Sequence, residues 1–311
     1  MSRDLPILVM QQCTPNSVDR VDAFEGLLRR QLALFPRTQL VVYPELHLCA
    51  GEPDAPVSEL AEPAGGPRER RLCRLAAELG VWLIPGSVYE ADGEVVYNTA
   101  LAISPVGEVV ARYRKCFPWR PFETVAAGHE FVVFDIPGLA RIGLSICYDT
   151  WFPELARHLA WMGAEIILQP TLTPTIDRAQ ELVLSQATAI VNQVFVVSVN
   201  AAAPQATGRS LIVDPEGHVL AQAGEGPIAL THVINLDQLD TTRRYGTAGL
   251  TEVWQQFRAD DTPIALPLYG GSIDHRRWAP ARPDLQVDPA AGEPADLSPR
   301  RQHTVPVPDQ R

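Results

Sequence analysis

The chain has 311 residues, 46% hydrophobic and 20% charged, enough for one large domain or two small ones with an ample core. Its net charge of −11 argues against nucleic acid or an anionic membrane as the main partner, and no run of about 18 apolar residues marks a transmembrane helix. Five cysteines (Cys13, Cys49, Cys73, Cys116, Cys147) form an odd set without CxxC spacing, which argues against a disulfide framework or a zinc site and fits a reducing cytoplasm. Met1 to Pro6 leads straight into an apolar strand with no signal-peptide pattern.

Leu5 to Met10 reads as a short buried strand. Asn16 or Ser17 is placed to cap a helix that carries Val21, Phe24, Leu27, Leu28 and Leu32 on its apolar face. Gln39 to Tyr43 is a second buried strand, Arg68 to Leu79 an amphipathic helix stopped by Gly80, and Val81 to Val88 a third strand. Tyr97 to Ile103 and Val109 to Tyr113 read as a hairpin around Ser104-Pro105-Val106-Gly107, followed by an irregular loop from Arg114 to Glu123. Phe131 to Phe134 and Arg141 to Cys147 are further strands. After a helix from Pro153 come a strand over Ala164 to Gln169, a helix over Ala179 to Asn192 and a strand over Phe195 to Asn200. Ser210 to Val213 and Val219 to Ala221 form a hairpin, and Ile228 to Leu236 the last core strand. Strands alternating with helices, with hairpins mixed in, predict an α/β layered domain with sheets between helices. That domain is expected to span residues 1–241. Over 242–279 the large apolar groups Trp254, Phe257, Leu266, Leu268, Tyr269 and Trp278 predict an extension packed on the body or on a partner subunit. Residues 280–311 hold seven of the 28 prolines and are expected to be extended or disordered.

The chemistry concentrates at strand ends. Arg141 to Ile146 rises as an apolar run to Cys147, and Pro153-Glu154 suits the first turn of the next helix. A cysteine at a strand tip before a helix N-terminus is placed to favour a thiolate, although free Cys is also among the most buried residue types. Glu45 follows Val41-Val42-Tyr43-Pro44, where Pro44 ends the ladder; a solvated loop carboxylate is the plain alternative. Lys115 follows the hairpin and by itself reads as a surface lysine, while Glu123 alone means little. Together the four supply a nucleophile, a base and acid, and a cation for an oxyanion, the parts needed to cleave an amide.

This set resembles the nitrilase superfamily of carbon–nitrogen hydrolases, which carries a Glu-Lys-Cys triad in this chain order. The resemblance runs through Tyr43-Pro44-Glu45, Tyr113-Arg114-Lys115 with Pro121-Phe122-Glu123, Gly143 to Asp149 with Phe152-Pro153-Glu154, Gln186 to Gln193, Val199-Asn200, Gly208-Arg209-Ser210 and Asp214 to Gly217. It implies an αββα sandwich that dimerises into αββααββα, with no metal or organic cofactor. It also implies Cys147 as nucleophile, Glu45 as general base and acid, Lys115 as oxyanion stabiliser with the backbone N–H of Tyr148, and Glu123 as the group that orients lysine and substrate.

Other hydrolase patterns fail on particular residues. Gly143-Leu144-Ser145-Ile146-Cys147 lacks the last glycine of a nucleophile elbow, none of the seven histidines neighbours Cys147 in sequence, and there is no H-E-x-x-H. Cys147-Tyr148-Asp149 looks like the amidase side of the family, where nitrile hydrolysers usually carry Cys-Trp-Glu. Thr150 and Trp151 stand where the N-carbamoyl branch tends to place arginines. The aromatic residues Trp119, Tyr148, Trp151 and Phe152 read as pocket walls or as ordinary core. The expected substrate is a small or aryl-bearing primary amide without a nearby carboxylate, with Arg120 and Arg178 standing against that restriction. N-carbamoyl hydrolysis, nitrile hydrolysis and acyl transfer are the alternatives on the same fold.

Overall fold

Along β1 (Asp4–Gln11) successive side chains go to two different apolar layers: Leu5, Ile7 and Val9 join one core cluster, Leu8 and Met10 the other. A strand buried on both faces is what its unbroken apolar sequence requires, because consecutive side chains point to opposite sides of a sheet. The computed structural model describes residues 2–15, 20–49, 56–274, 277, 278 and 280. The expected caps Asn16 and Ser17, and the proline-rich tail beyond Pro280, lie outside the described residues.

In chain order the elements are β1, α1 (Arg20–Leu34), β2 (Leu40–Val42), α2 (Val57–Leu60), β3 (Glu62–Pro63), α3 (Pro67–Leu79), β4 (Trp82–Ile84), β5 (Ser87–Asp92), β6 (Val95–Ile103), β7 (Val109–Arg114), β8 (Val133–Ile136) and β9 (Ala140–Leu144). A 3₁₀ turn over Cys147–Trp151 precedes α4 (Pro153–Trp161), β10 (Ile166–Thr171), α5 (Arg178–Asn192), β11 (Phe195–Asn200), β12 (Leu211–Val213), β13 (Val219–Gln222), β14 (Ile228–Asn235), α6 (Leu236–Tyr245), β15 (Ile264–Leu266) and β16 (Gly271–Ile273). One mixed sheet of eight strands runs β14-β1-β2-β4-β6-β5-β3 with β7 beside β6, and a second of six runs β13-β12-β11-β10-β9-β8.

The larger core cluster joins inward residues of both sheets, such as Ile7, Val42, Ile84 and Tyr113 with Phe134, Ile142, Leu168 and Val197, and continues to Leu155, Leu159 and Leu182 of α4 and α5. The smaller one packs the outer face of the first sheet on Phe24 and Leu28 of α1 and Leu72 and Leu75 of α3. The layers are therefore α, β, β, α, as the sequence resemblance implies. Among the described residues no helix is long and apolar enough to cross a membrane.

Two local readings change. Val81 to Val88 is two strands, not one, because Pro85-Gly86 breaks the pairing and Gly86 takes φ +87°. The strand leading to Cys147 stops at Leu144, and Cys147 itself opens a 3₁₀ turn. Helix α6, which the sequence reading lacks, crosses position 241/242; Asn235 caps it by accepting from the Asp237 N–H. Beyond it, Trp254, Phe257 and Trp278 form one aromatic cluster on the body, with the Arg157 guanidinium of α4 5.1 Å above Trp254 and 5.2 Å above Trp278. Trp254 also donates to the Asn192 carbonyl at the end of α5. Tyr269, by contrast, stays largely exposed and donates to Glu154.

The Gly86 turn reaches the functional end of the sheet. A Cβ at this position would stand 1.7 Å from the Pro44 carbonyl oxygen, next to Glu45. Gly86→Ala is expected to cost about 2 kcal/mol or more, from the left-handed backbone and the displaced Pro44, and to lower activity per folded molecule. Urea unfolding and turnover on the same preparation check this; an alanine variant with both values unchanged would contradict the role given to the turn.

Candidate active site

The ends of β2, β7 and β9 meet where the two sheets meet, and each delivers one polar residue to the same spot. Past β2 the Tyr43 N–H still bonds the Ile84 carbonyl, but Pro44 has no N–H and the ladder ends. The next N–H, of Glu45, crosses to the Thr171 carbonyl of the second sheet at 3.3 Å. Glu45 is 3% exposed. Its Oε1 accepts from Asn98 Nδ2 at 2.8 Å and from Lys115 Nζ at 3.0 Å, and its Oε2 accepts from the Leu172 N–H at 2.9 Å.

Lys115 is 1% exposed, so it is no surface lysine. Its backbone is held from both sides, the N–H by the Asn98 carbonyl and the carbonyl by the Gly128 N–H, each at 2.8 Å. Its Nζ also donates to Glu123 Oε2 at 2.7 Å. Glu123 Oε1 accepts from the same Asn98 Nδ2 at 3.3 Å, and the Trp119 N–H bonds the other oxygen. One ammonium and one amide thus join two carboxylates in a closed ring. Since a carboxylate can only accept, the Asn98 side chain must turn its NH₂ toward the pair.

Cys147 takes φ +46°, uncommon for a residue with a side chain and a feature that gathers at functional turns. Gln169 Nε2 holds its carbonyl at 3.1 Å, and its Sγ lies 3.7 Å from Thr173 Oγ1. Burial opposes charge on Lys115, yet the adjacent carboxylates of Glu45 and Glu123 outweigh it, and the ammonium is held above its ordinary range. Burial pushes Glu45 up and Glu123 adds to this, while Lys115 pulls it down. For Cys147, burial and then the Glu45 charge push the thiol well up, against a smaller pull from Lys115. The expectation of a resting thiolate is therefore corrected: the free site holds a thiol beside a carboxylate.

Four further residues escape the sequence reading. Asn98 lies in the middle of β6, and its only signal is one polar group in an apolar strand. Asp149, read only as a branch marker, is fully buried and accepts from three donors: Ile146 N–H at 2.8 Å, Phe117 N–H at 2.9 Å and Tyr113 Oη at 2.7 Å. It ties the segment carrying Lys115 to the turn carrying Cys147. Thr173 and Glu181 are buried beside the cysteine, with Thr173 Oγ1 donating to the Glu181 carboxylate at 2.9 Å.

The aromatic residues fall into two groups. Phe152 stacks on Phe117 with centroids 3.8 Å apart, and Tyr148 meets Phe152 edge-on at 5.6 Å and Trp151 at 6.3 Å. Trp119 pairs with Phe122 at 4.3 Å on the loop that brings Glu123, and Phe122 is 68% exposed. The two arginines that stood against an uncharged substrate are already engaged. Arg120 donates to the Glu123 and Val125 carbonyls. Arg178 donates to Glu181, Ser198 and the Gly208 and Arg209 carbonyls.

Asp149 offers a test of this frame. Asp149→Asn turns an NH₂ toward one of three donors and leaves it unsatisfied, an expected loss of about 1–3 kcal/mol at neutral pH together with a fall in kcat. Burial raises Asp149 from 3.8 to about 6, so folding favours its protonated form. That contribution is complete below pH about 4 and is lost as pH rises through about 6, so the deficit of the variant should be larger at pH 4 than at pH 7. Denaturation midpoints at the two pH values check the sign, and a deficit that grows toward neutral pH would contradict it.

Comparison with known proteins places the chain. The family profile of carbon–nitrogen hydrolases matches residues 21–244. The omega-amidase NIT2 of Homo sapiens is 32% identical over 218 residues, covering 65% of this chain and 77% of that protein. A hydrolase of Mycobacterium tuberculosis is 32% identical over 228 residues, covering 66% of this chain and 80% of its own. Among solved structures, Saccharomyces cerevisiae Nit3, a member of branch 10 of the nitrilase superfamily, superposes with TM-score 0.71 at 26% identity, over 78% of this chain and 93% of that one. A glutamate-to-glutamine mutant of the amidase from Nesterenkonia sp. AN1, with the acetamide moiety of fluoroacetamide covalently added at its active-site cysteine, superposes with TM-score 0.67 at 25% identity, over 78% and 94%. Glu45, Asn98, Lys115, Glu123 and Cys147 all fall within the span matched by the family profile, and the chain belongs to the carbon–nitrogen hydrolase family.

Proposed function

We propose that this carbon–nitrogen hydrolase cleaves a small primary amide to a carboxylate and ammonia through a thioester on Cys147. The observation that carries the reading is the buried ring of Glu45, Lys115, Glu123 and Asn98 beside the Cys147 thiol. Glu45 takes the thiol proton as sulfur bonds to the amide carbon. The oxygen, now an anion, is held by the Lys115 ammonium and the Tyr148 backbone N–H. The C–N bond then breaks as Glu45 passes its proton to nitrogen and ammonia leaves. Glu45 next takes a proton from water, whose oxygen attacks the thioester; the C–S bond then breaks, Glu45 returns that proton to sulfur, and the acid leaves and gives up its own proton to solvent as the carboxylate. Glu123 orients the lysine and keeps it charged.

Support for an amide as the bond comes from two of the similar proteins, the omega-amidase NIT2 and the Nesterenkonia amidase. They favour it over nitrile, N-carbamoyl or acyl-transfer chemistry. With Arg120 and Arg178 both engaged, and with Trp119, Tyr148, Trp151 and Phe152 as walls, the acyl group is uncharged and apolar. The protein works as a homodimer or larger homo-oligomer. Exposed Trp161 of α4 and Val183, Ile190 and Val191 of α5 offer an apolar face to a second copy. Its five free cysteines suit the reducing cytoplasm.

Turnover of one amide by four variants tests the roles. Cys147→Ala is expected to lose activity while staying folded. Lys115→Met removes the oxyanion's cation and leaves two carboxylates facing each other, so its loss in kcat should exceed the roughly 10²–10³ typical of one oxyanion donor. Glu45→Gln should slow acylation and thioester hydrolysis alike, and Glu123→Gln should be mildest. If Lys115→Met were the mildest instead, the role given to the lysine would be wrong.

A further inference from the structure

The Thr173 hydroxyl has one proton, and Glu181 receives it. Both Glu181 oxygens lie 2.9 Å from Thr173 Oγ1, and Arg178 Nη1 fixes the carboxylate at 3.0 Å. Arg178 is in turn anchored by Ser198 Oγ and by the Gly208 and Arg209 carbonyls. The Thr173 backbone is pinned as well: Asn200 Oδ1 accepts from its N–H at 2.9 Å and Thr207 Oγ1 donates to its carbonyl at 2.8 Å. A hydroxyl whose proton is committed can only accept from its other side. That other side lies 3.7 Å from Cys147 Sγ.

The same segment also borders Glu45. The Leu172 N–H, one residue before Thr173, donates to Glu45 Oε2 at 2.9 Å, so the carboxylate and the Thr173 hydroxyl are two acceptors held by the same segment next to the cysteine. The donors of the reading above, the Lys115 ammonium and the Tyr148 N–H, claim the substrate's oxygen. A reacting carbon stands about 3–3.5 Å from its nucleophile, which puts the nitrogen bonded to that carbon within reach of an acceptor beside the sulfur. A primary amide carries two N–H groups on that nitrogen, one for each acceptor.

We propose that Thr173 is a specificity-determining residue: its hydroxyl, held as a pure acceptor by Glu181 and Arg178, takes one N–H of the substrate's amide nitrogen while Glu45 faces the other. This rests on the amidase reading above and deepens it, since it names the unsubstituted amide as the class the site selects. A secondary amide has one N–H and must leave one acceptor without a partner. An ester of the same acyl group has none, and so gains nothing from the Thr173 hydroxyl.

The test compares kcat/KM for a primary amide, its N-methyl amide and the methyl ester of the same acyl group, in wild type, Thr173→Val and Thr173→Ser. Valine keeps the branched shape without the hydroxyl, and the ester rate reports on folding and on the cysteine. The amide-to-ester ratio is expected to fall about tenfold or more in Thr173→Val, the loss of one hydrogen bond with a donor left unmatched, and to be restored in Thr173→Ser. The preference for primary over N-methyl amide should shrink in the valine variant alone. If valine does not fold, Thr173→Ala removes the hydroxyl without a second methyl beside Glu181. An equal fall on amide and ester would make Thr173 merely structural, and an unchanged ratio would likewise overturn the inference while leaving the amidase reading in place. A wild-type protein that turns over no amide would sink that reading and this inference together.

Discussion

Lys115 is a full positive charge placed where water does not reach, and the site is arranged around making that possible. Taking an ammonium out of water costs several kcal/mol even after relaxation, and only close opposite charge with good geometry offsets it. Glu45 and Glu123 provide that charge at 3.0 and 2.7 Å. Two carboxylates around one cation leave a surplus negative charge, and Asn98 answers it with one NH₂ shared between them. The arrangement is stiff because each member also has its backbone or a second oxygen fixed. The result is a cation that costs nothing to organise at the moment an oxyanion forms, and a carboxylate with enough proton affinity to serve as base and acid in turn.

That cluster explains why two sheets are needed. Glu45, Asn98 and Lys115 come from the first sheet, at or beyond β2, β6 and β7. Cys147, Thr173 and Glu181 come from the second sheet and its helix α5. Two small bridges fix the sheets in register at this point, the Glu45 N–H to the Thr171 carbonyl and Asp149 to the Phe117 N–H and Tyr113 hydroxyl. Asp149 is a charged group at the heart of the molecule, and its three donors are what make its burial tolerable. The aromatic cluster of Trp254 and Trp278 secures the far side of α4, the helix that follows the Cys147 turn.

Much of this was legible in the sequence because it rests on local patterning. Apolar runs that stop at a polar residue mark strand ends, and Glu45, Lys115 and Cys147 each follow such an end within three residues. Helix α3 ends at Gly80, which takes the left-handed cap the sequence leads one to expect. The hairpins at Val106-Gly107 and Glu216-Gly217 follow from their turn residues. What escaped depends on contacts distant in sequence. Asn98 is one polar residue in an apolar strand until two carboxylates from elsewhere meet it. Thr173 lies in a Pro-Thr segment that reads as a loop, and its partner Glu181 reads as an ordinary first-turn helix acid. Gly86 breaks a strand that composition makes continuous, because the Pro44 carbonyl passes where a side chain would be. The protonated state of Cys147 reversed for a similar reason. A helix start nearby favours a thiolate, but burial of the sulfur and an adjacent carboxylate outweigh it.

The central claim is that the amide's acyl group passes through Cys147 with Glu45 moving the protons. The most direct measurement mixes the protein with a primary amide, quenches within the first turnover, and reads the mass of the intact chain and of its cysteine peptides. The account predicts one acyl group on the Cys147 peptide, ammonia released with it, slower decay of the adduct in Glu45→Gln, and no adduct in Cys147→Ala. Ammonia release that survives Cys147→Ala, or an acyl group carried by another cysteine, would contradict it.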